Sequence, residues 1–331
     1  MSTFAGVVLF TGVLVYAVLG GADYGAGFWD LTAGGAERGR GPRSLVDASL
    51  APVWEANHVW LVFILVMLWT GFPVAFAAIM TTLYIPLGLA ALGIVIRGSG
   101  FAFRKVMVRT SQQRVTGAAF AVSSVLTPFF LGTIAGGIAS GRVPTAGHGD
   151  AVGSWLNPTS LLGGVLAVLA CAFVAAVFLT AEARRRQNTD LETWFRRRSL
   201  GAAVATGAFT LVGIAVLHAD SPRLFHELLS RGLPLVVVAA LCGLASVTLI
   251  RRAAPRLLQA LAVVAVASVV AGWGVAQYPY LLGTHLSLGE AAAPTPTLWA
   301  LTVVAAAALL LVVPAMALLF VLVERGRLEG H

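Results

Sequence analysis

Charge is what this sequence has least of. Only 11% of its 331 residues are Asp, Glu, Lys or Arg, against about 25% in a soluble globular domain. The hydrophobic share, 58%, falls in long continuous runs. Alternating segments of ~10 residues are missing, which excludes a transmembrane barrel and leaves helices. Cysteine is almost absent. Cys171 and Cys242 each sit inside an apolar run; two are too few for a disulfide framework or a thiolate metal cluster, and they read as small buried hydrophobes. A basic leader is also lacking. MSTFAGVVLF runs straight into a full-length apolar segment, so no cleavable signal peptide is expected.

Nine runs reach the ~20 residues that a bilayer core requires, the seventh only just under it. They are roughly 5–33, 45–69, 73–97, 114–139, 159–182, 199–218, 233–251, 256–278 and 297–323. The expected fold is an all-α integral membrane protein, residues 1–331 forming one polytopic domain. Bundles of four helices plus one additional helix would accommodate the nine. Ser44 and Asp47 are placed to form a capping box where the second run begins. Pro73 and Pro86 bracket the first half of the third run and Pro314 lies within the ninth; each removes a backbone donor.

The net charge of +8 raises nucleic acid as a partner, and the placement of the bases excludes it. Of 22 Lys and Arg, 19 lie in the connections after runs 1, 3, 5 and 7 or in the C-terminal tail; Arg142, Arg223 and Arg231 are the remainder. This is the loop asymmetry of a membrane protein. It sets the N-terminus outside and the C-terminus in the cytoplasm. The basic stretch 184–198 fixes topology and adds a site for lipid headgroups.

Ionisable residues within spans are functional hypotheses by default. Asp23 and Glu55 are the two, with Asp30 near the inner end of the first span. Asp23 lies ten residues before Ala33 and Glu55 ten residues after Leu45, each ~15 Å from the cytoplasmic end. On antiparallel neighbours the two carboxylates reach matching depth. They suit a proton relay, or else lock two helices together. His58 follows Glu55 by three residues, on the same helix face. It reads as a proton or hydrogen-bond partner; the Glu-x-x-His element of a di-metal bundle needs a second copy that the other spans do not supply, so no metal site is expected. Haem ligation and an ordinary core histidine also remain open for His58. His148, His218, His226 and His285 fall at span ends or loops.

Around Asp23 the chain reads GGADYGAGFWDL. Gly21 and Gly25, four apart, let helix backbones approach closely and turn the acid toward protein, or else form a plain packing face with an incidental acid. Trp54 and Trp60 lie deeper than an interfacial aromatic belt and either wall a cofactor or proton path or pack the core. Arg97 and Arg104 frame IRGSGFAFR after the third run; Asp47, Asp30 or a partner subunit are their expected counter-charges.

Three stretches in order, GGADYGAGFWDL, PVWEANHVWL and RGSGFAFR, resemble subunit II of the cytochrome bd family of terminal oxidases. The first is similar to the family pattern G-x-D-x-G-x-G, the second to P-x-W-[DE]-x-N-x-x-W-L. The resemblance covers the whole chain, with its specificity in the first hundred residues. It implies a complex in the bacterial cytoplasmic membrane that reduces dioxygen to water with quinol as donor. It implies haems b and d in a haem-bearing subunit I, with no catalytic residue in this chain. Bound quinone or lipid and a small accessory subunit are compatible with it. Asp23, Glu55 and His58 fall on the implied proton path, with Trp54 and Asn57 as motif partners. The chain departs at Glu55, where Asp is the common form, at Ala56, where Gly is usual, and at His58. Those departures leave a cytochrome c donor open beside quinol. Two other classes stand against this reading: a stand-alone secondary transporter using the same acids, and an assembly subunit with no proton path.

Overall fold

The computed structural model describes residues 1–35, 37–50, 54–106, 110–145, 148–250 and 254–324; at 50, 54–56, 104–106, 110–114, 319–320 and 323–324 it describes the backbone alone. The elements are α1 (Ser2–Leu31), α2 (Arg40–Leu50), α3 (Trp54–Gly71), α4 (Pro73–Thr82), α5 (Tyr84–Val106), α6 (Thr110–Ala139), α7 (Pro158–Arg185), α8 (Thr189–Asp220), α9 (Pro222–Ser230), α10 (Leu233–Leu249), α11 (Pro255–Gln277), β1 (Tyr280–Leu282), β2 (Leu286–Ser287), α12 (Leu288–Ala291) and α13 (Thr295–Glu324). Seven described helices are long and apolar enough to cross a membrane, and the number reaches nine if each of two sharply bent pairs is one span. Helices are what hydrocarbon permits here, because each satisfies its own backbone.

The bent pairs have local causes. Between α3 and α4 the axis turns by 116°. Phe72 leaves helical geometry (φ −139°, ψ 59°) and Pro73 opens α4. The expected third span, 73–97, is therefore divided: residues 73–82 form the folded-back α4, and the helix that follows runs from Tyr84 to Val106. Pro86, in its first turn, has no N–H to donate to Thr82 and would clash with that carbonyl, so the two helices cannot merge. The second bend, 81° between α9 and α10, has Pro222 and Pro234 near the two helix starts. Helix α2 begins at Arg40, so Ser44 lies inside it and the expected Ser44–Asp47 cap is not at a helix start. Asn157 and Asn188 do cap, accepting from Ser160 and Leu191 N–H groups ahead of α7 and α8.

Helix α7 is the hub, packed on α8, α6 and α1, while α5 pairs with α6 and α1 with α3. The α6–α7 contact is close because Gly132 and Gly136, four apart, meet Gly163 and Ser160; a Cβ on Gly136 would stand 2.5 Å from the Ser160 Cα. Buried side chains form three clusters along α1 in sequence order. Leu9 belongs to the first, with Met67, Phe72 and Leu298. Tyr16 and Tyr24 share the second with Trp60, Cys171 and Met316. Trp29 joins Phe101, Phe120, Phe173 and Phe195 in the third. Helices α8 and α13 bury only 17% of their most apolar windows, so most of their surface is left for lipid or a partner.

The connection 140–158 and the segment 279–296 are more ordered than their Gly, Pro and Ala content foretells. Arg142 forks onto Asp220 (Nη2–Oδ1 2.7 Å, Nη1–Oδ2 3.1 Å), and Asp220 also accepts from the Thr159 hydroxyl at 2.6 Å. The second segment holds the β1–β2 hairpin, tied down by Arg223, which donates to the Gly283 carbonyl at 2.6 Å. Replacing Arg142 by Ala is expected to lower the thermal stability of the purified protein by about 1–2 kcal/mol, because the fork is only partly buried. The same loss in the Asp220→Asn variant, and no further loss in the double variant, would confirm that the pair acts as one unit.

Candidate functional site

The polar centre of the membrane-spanning region lies where α1, α5 and α6 meet. Arg97 projects from α5 and is 1% exposed; Asp23 of α1 is 2% exposed. The guanidinium forks onto the carboxylate, Nη2 to Oδ1 at 2.8 Å and Nη1 to Oδ2 at 3.1 Å, and Nη2 also donates to the Asp23 carbonyl at 3.2 Å. Its Nε donates to the Ser124 hydroxyl of α6 at 3.0 Å, and that hydroxyl donates on to the Phe120 carbonyl at 2.7 Å. The rings of Tyr24 and Phe120 lie against the guanidinium at 4.9 and 5.0 Å. The fork occupies both carboxylate oxygens, which is how a charge pair withdrawn from water is made tolerable.

This partner differs from the expected one. The sequence offers Asp47, Asp30 or another subunit as counter-charges for Arg97. Instead it holds Asp23, while Asp30 is held by Arg43 of α2 (Nε–Oδ1 2.9 Å), whose other nitrogens donate to the carbonyls of Gly34 and Gly35. The reason is the extent of α5. With the helix continuing to Val106, Arg97 is nine residues, ~14 Å, from its end, and Asp23 is eight residues, ~12 Å, from the end of α1. A third span drawn to end at 97 put that arginine at the membrane edge and hid the match.

Small residues make room for the pair. A Cβ on Gly25 would overlap the carbonyl of Cys171 in α7, and one on Gly27 would overlap the side chain of Ser124. Gly21 faces the Cys171 Sγ at an ordinary 3.5 Å. Nearby, the Trp29 Nε1 donates to the Ala172 carbonyl at 2.8 Å.

Helix α3 supplies the rest. Asn57 is 3% exposed and its Nδ2 donates to the Leu19 carbonyl at 3.3 Å, fastening α3 to α1. His58, half-buried, lies T-shaped against Tyr24 with ring centroids 6.3 Å apart. Trp60 is buried at 7%, edge to face with Phe63. Asn57 Oδ1 and Trp60 Nε1 are buried with no hydrogen-bond partner among the described residues. The side chains of Trp54, Glu55 and Arg104 lie outside the described residues. Trp69 is 65% exposed and stacks on Phe76. Sequence reasoning passed over Tyr16, Tyr24 and Ser124. The available signal was two tyrosine hydroxyls inside an apolar run, which must find partners when buried.

Among the described residues no group of three or more His, Cys, Asp or Glu side chains is placed to hold a metal ion. His58 is packed against Tyr24, His218 against Phe225, and His285 Nε2 meets the Thr284 hydroxyl at 3.0 Å.

The family model for cytochrome bd terminal oxidase subunit II matches residues 1–323. The chain belongs to that family. As a bd subunit II it is similar to the cytochrome bd ubiquinol oxidase subunit 2 of Bacillus subtilis, 28% identical over 249 residues, covering 74% of this chain and 70% of the other. The Escherichia coli K12 cytochrome bd-I ubiquinol oxidase subunit 2 is 26% identical over 224 residues; the match spans 63% of this chain and 56% of that relative's length. Its fold matches a chain in the structure of bd oxidase from Geobacillus thermodenitrificans with a TM-score of 0.78, covering 100% of this chain and 99% of the other at 24% identity. The family assignment rests on the sequence match, and the structural likeness, at 24% identity, shows the shared all-α fold.

Proposed function

We propose that this chain is the haem-free second subunit of a bacterial cytoplasmic-membrane oxidase that reduces dioxygen to water with electrons from quinol. The observation that carries this reading is the family match along residues 1–323. Haems b and d belong, on this reading, to subunit I, where they would supply the electron transfer and oxygen chemistry. This chain supports that partner and supplies a proton route from the cytoplasm, with its N-terminus outside as the loop charges indicate.

Within the route the residues divide by role. Glu55 and His58, three apart on α3, take up protons and pass them on. Asp23 acts chiefly as an anchor: both its oxygens accept from Arg97, so a proton arriving there must first open the fork. Asn57 holds α3 to α1 through Leu19 and so sets the distance between the route and the anchor.

The test is Glu55→Gln in the purified complex. Oxygen reduction is expected to fall at least about tenfold, as for loss of a positioned proton-transfer group, with the reduced-minus-oxidised haem spectrum unchanged. Parental turnover and parental proton uptake in an intact complex would refute the proton route and leave a supporting subunit. A spectrum of the chain expressed without its partner checks the haem assignment: no haem absorption is expected.

A further inference from the structure

We propose that the hydroxyls of Tyr16 and Tyr24 continue the proton route along α1, beyond Glu55 and His58. The inference rests on the proton route proposed above. Both tyrosines are buried, 8% and 2% exposed. Their hydroxyl oxygens stand 2.9 Å apart, and either can be the donor. The two Cα positions are eight residues, ~12 Å, apart along the helix, so the rings must lean together to meet.

Gly20 makes this geometry available. The Tyr16 ring lies over it, and a Cβ there would come within 2.8 Å of the ring's Cε2. Any larger residue at 20 would displace the ring that carries the Tyr16 hydroxyl. On its other sides Tyr24 touches both halves of the site already described: the Arg97 guanidinium at 4.9 Å and the His58 ring at 6.3 Å.

A second observation points to the same interface. Asn57 Oδ1 and Trp60 Nε1, one an acceptor and one a donor, are three residues apart on α3 and lack partners among the described residues. Trp60 shares its buried cluster with Tyr16 and Tyr24, and Asn57 is fixed to Leu19, three residues from Tyr16. A buried donor and acceptor left over beside a hydroxyl pair make the surroundings in which protein interiors hold a bound water. The Tyr24–Tyr16 hydroxyl pair is thus a polar step within an otherwise apolar contact, with the His58 ring packed edge to face against Tyr24.

The transfer is a simple hand-over. His58 would give a proton to the Tyr24 oxygen through one bridging water while the Tyr24 O–H proton passes to the Tyr16 oxygen, and the Tyr16 proton would pass to a water held by Asn57 Oδ1 and Trp60 Nε1. Rotation of both hydroxyls restores the starting state. No electron moves and neither tyrosine becomes an anion or a radical.

The competing reading is that the hydroxyls merely satisfy each other in the core. The Tyr16→Phe/Tyr24→Phe double variant separates the two, since it keeps both rings and leaves no orphaned hydroxyl. In the purified complex with its haem-bearing partner, turnover is expected to fall at least about tenfold and the solvent deuterium isotope effect to rise, with haem spectrum and melting temperature as in the parent. Gly20→Ala, which retains both hydroxyls but displaces the Tyr16 ring, is expected to show the same two changes. Parental turnover and isotope effect in both variants would overturn the tyrosine extension. If Glu55→Gln is slow in the same assay, the proton route itself survives that result. If Glu55→Gln is also parental, the route fails and this extension with it.

Discussion

Arg97→Met is expected to prevent accumulation of the assembled protein. Methionine fills part of the volume and carries no charge, so the Asp23 carboxylate is left 2% exposed with no counter-charge. Removing one partner of a buried pair costs about 3–5 kcal/mol, a large part of the 5–15 kcal/mol that stabilises a typical domain. In a membrane span the penalty is not relieved by water. The Ser124 hydroxyl and the two flanking rings also lose the group around which they are arranged. Lysine at 97 is expected to rescue only in part: a point charge cannot fork onto both carboxylate oxygens while donating to Ser124. The measurement is the yield and melting temperature of detergent-purified protein. The Asp23→Asn/Arg97→Met double variant is the decisive comparison. It removes both charges and should recover more than half of the lost stability. A single variant as stable as the parent would show that the pair does not hold α1 to α5.

Gly25→Ala is expected to be the second most damaging change, although it adds one methyl group. That methyl would overlap the carbonyl of Cys171, and a helix backbone cannot rotate out of the way. Helix α1 must back off from α7, moving Asp23 and Tyr24 relative to Arg97. Overpacking costs about 1–3 kcal/mol, and a backbone obstacle belongs at the upper end. Gly21→Ala is the control within the same motif. Its methyl would meet only the Cys171 Sγ, at 3.5 Å, and should be nearly neutral. Melting temperatures of the two variants check the contrast; equal values would mean that the α1–α7 seam tolerates movement. Oxygen-reduction rates of the surviving Gly25→Ala protein should fall as well, because the displaced helix carries the anchor.

Both predictions use residues that were conspicuous in the sequence, and neither could be made from it. Gly21 and Gly25 look equivalent as a four-residue repeat; only the position of α7 tells which faces a carbonyl and which a flexible thiol. Asp23 was legible as an acid buried by its glycine neighbours. Its partner was not, because Arg97 was drawn at the end of a span that in fact continues to Val106. Pro86 falls inside one apolar run in the sequence, whereas in the fold it stands just after the break that separates two helices. The Tyr16–Tyr24 contact was also out of reach, since it depends on a ring lying over Gly20 and not on any repeat in the chain.

The class of the protein, nearly all of its apolar runs, its acids and its family motifs are legible in the order of residues alone. These are local properties: hydropathy adds along the chain, charges in loops can be summed, and a motif is contiguous. The tertiary structure decided which acid holds which base, which glycine is a contact point and which hydroxyls meet. Those outcomes depend on which helices are neighbours and at what depth a residue lies on each, and a shift of a few residues in one helix boundary changes the partner.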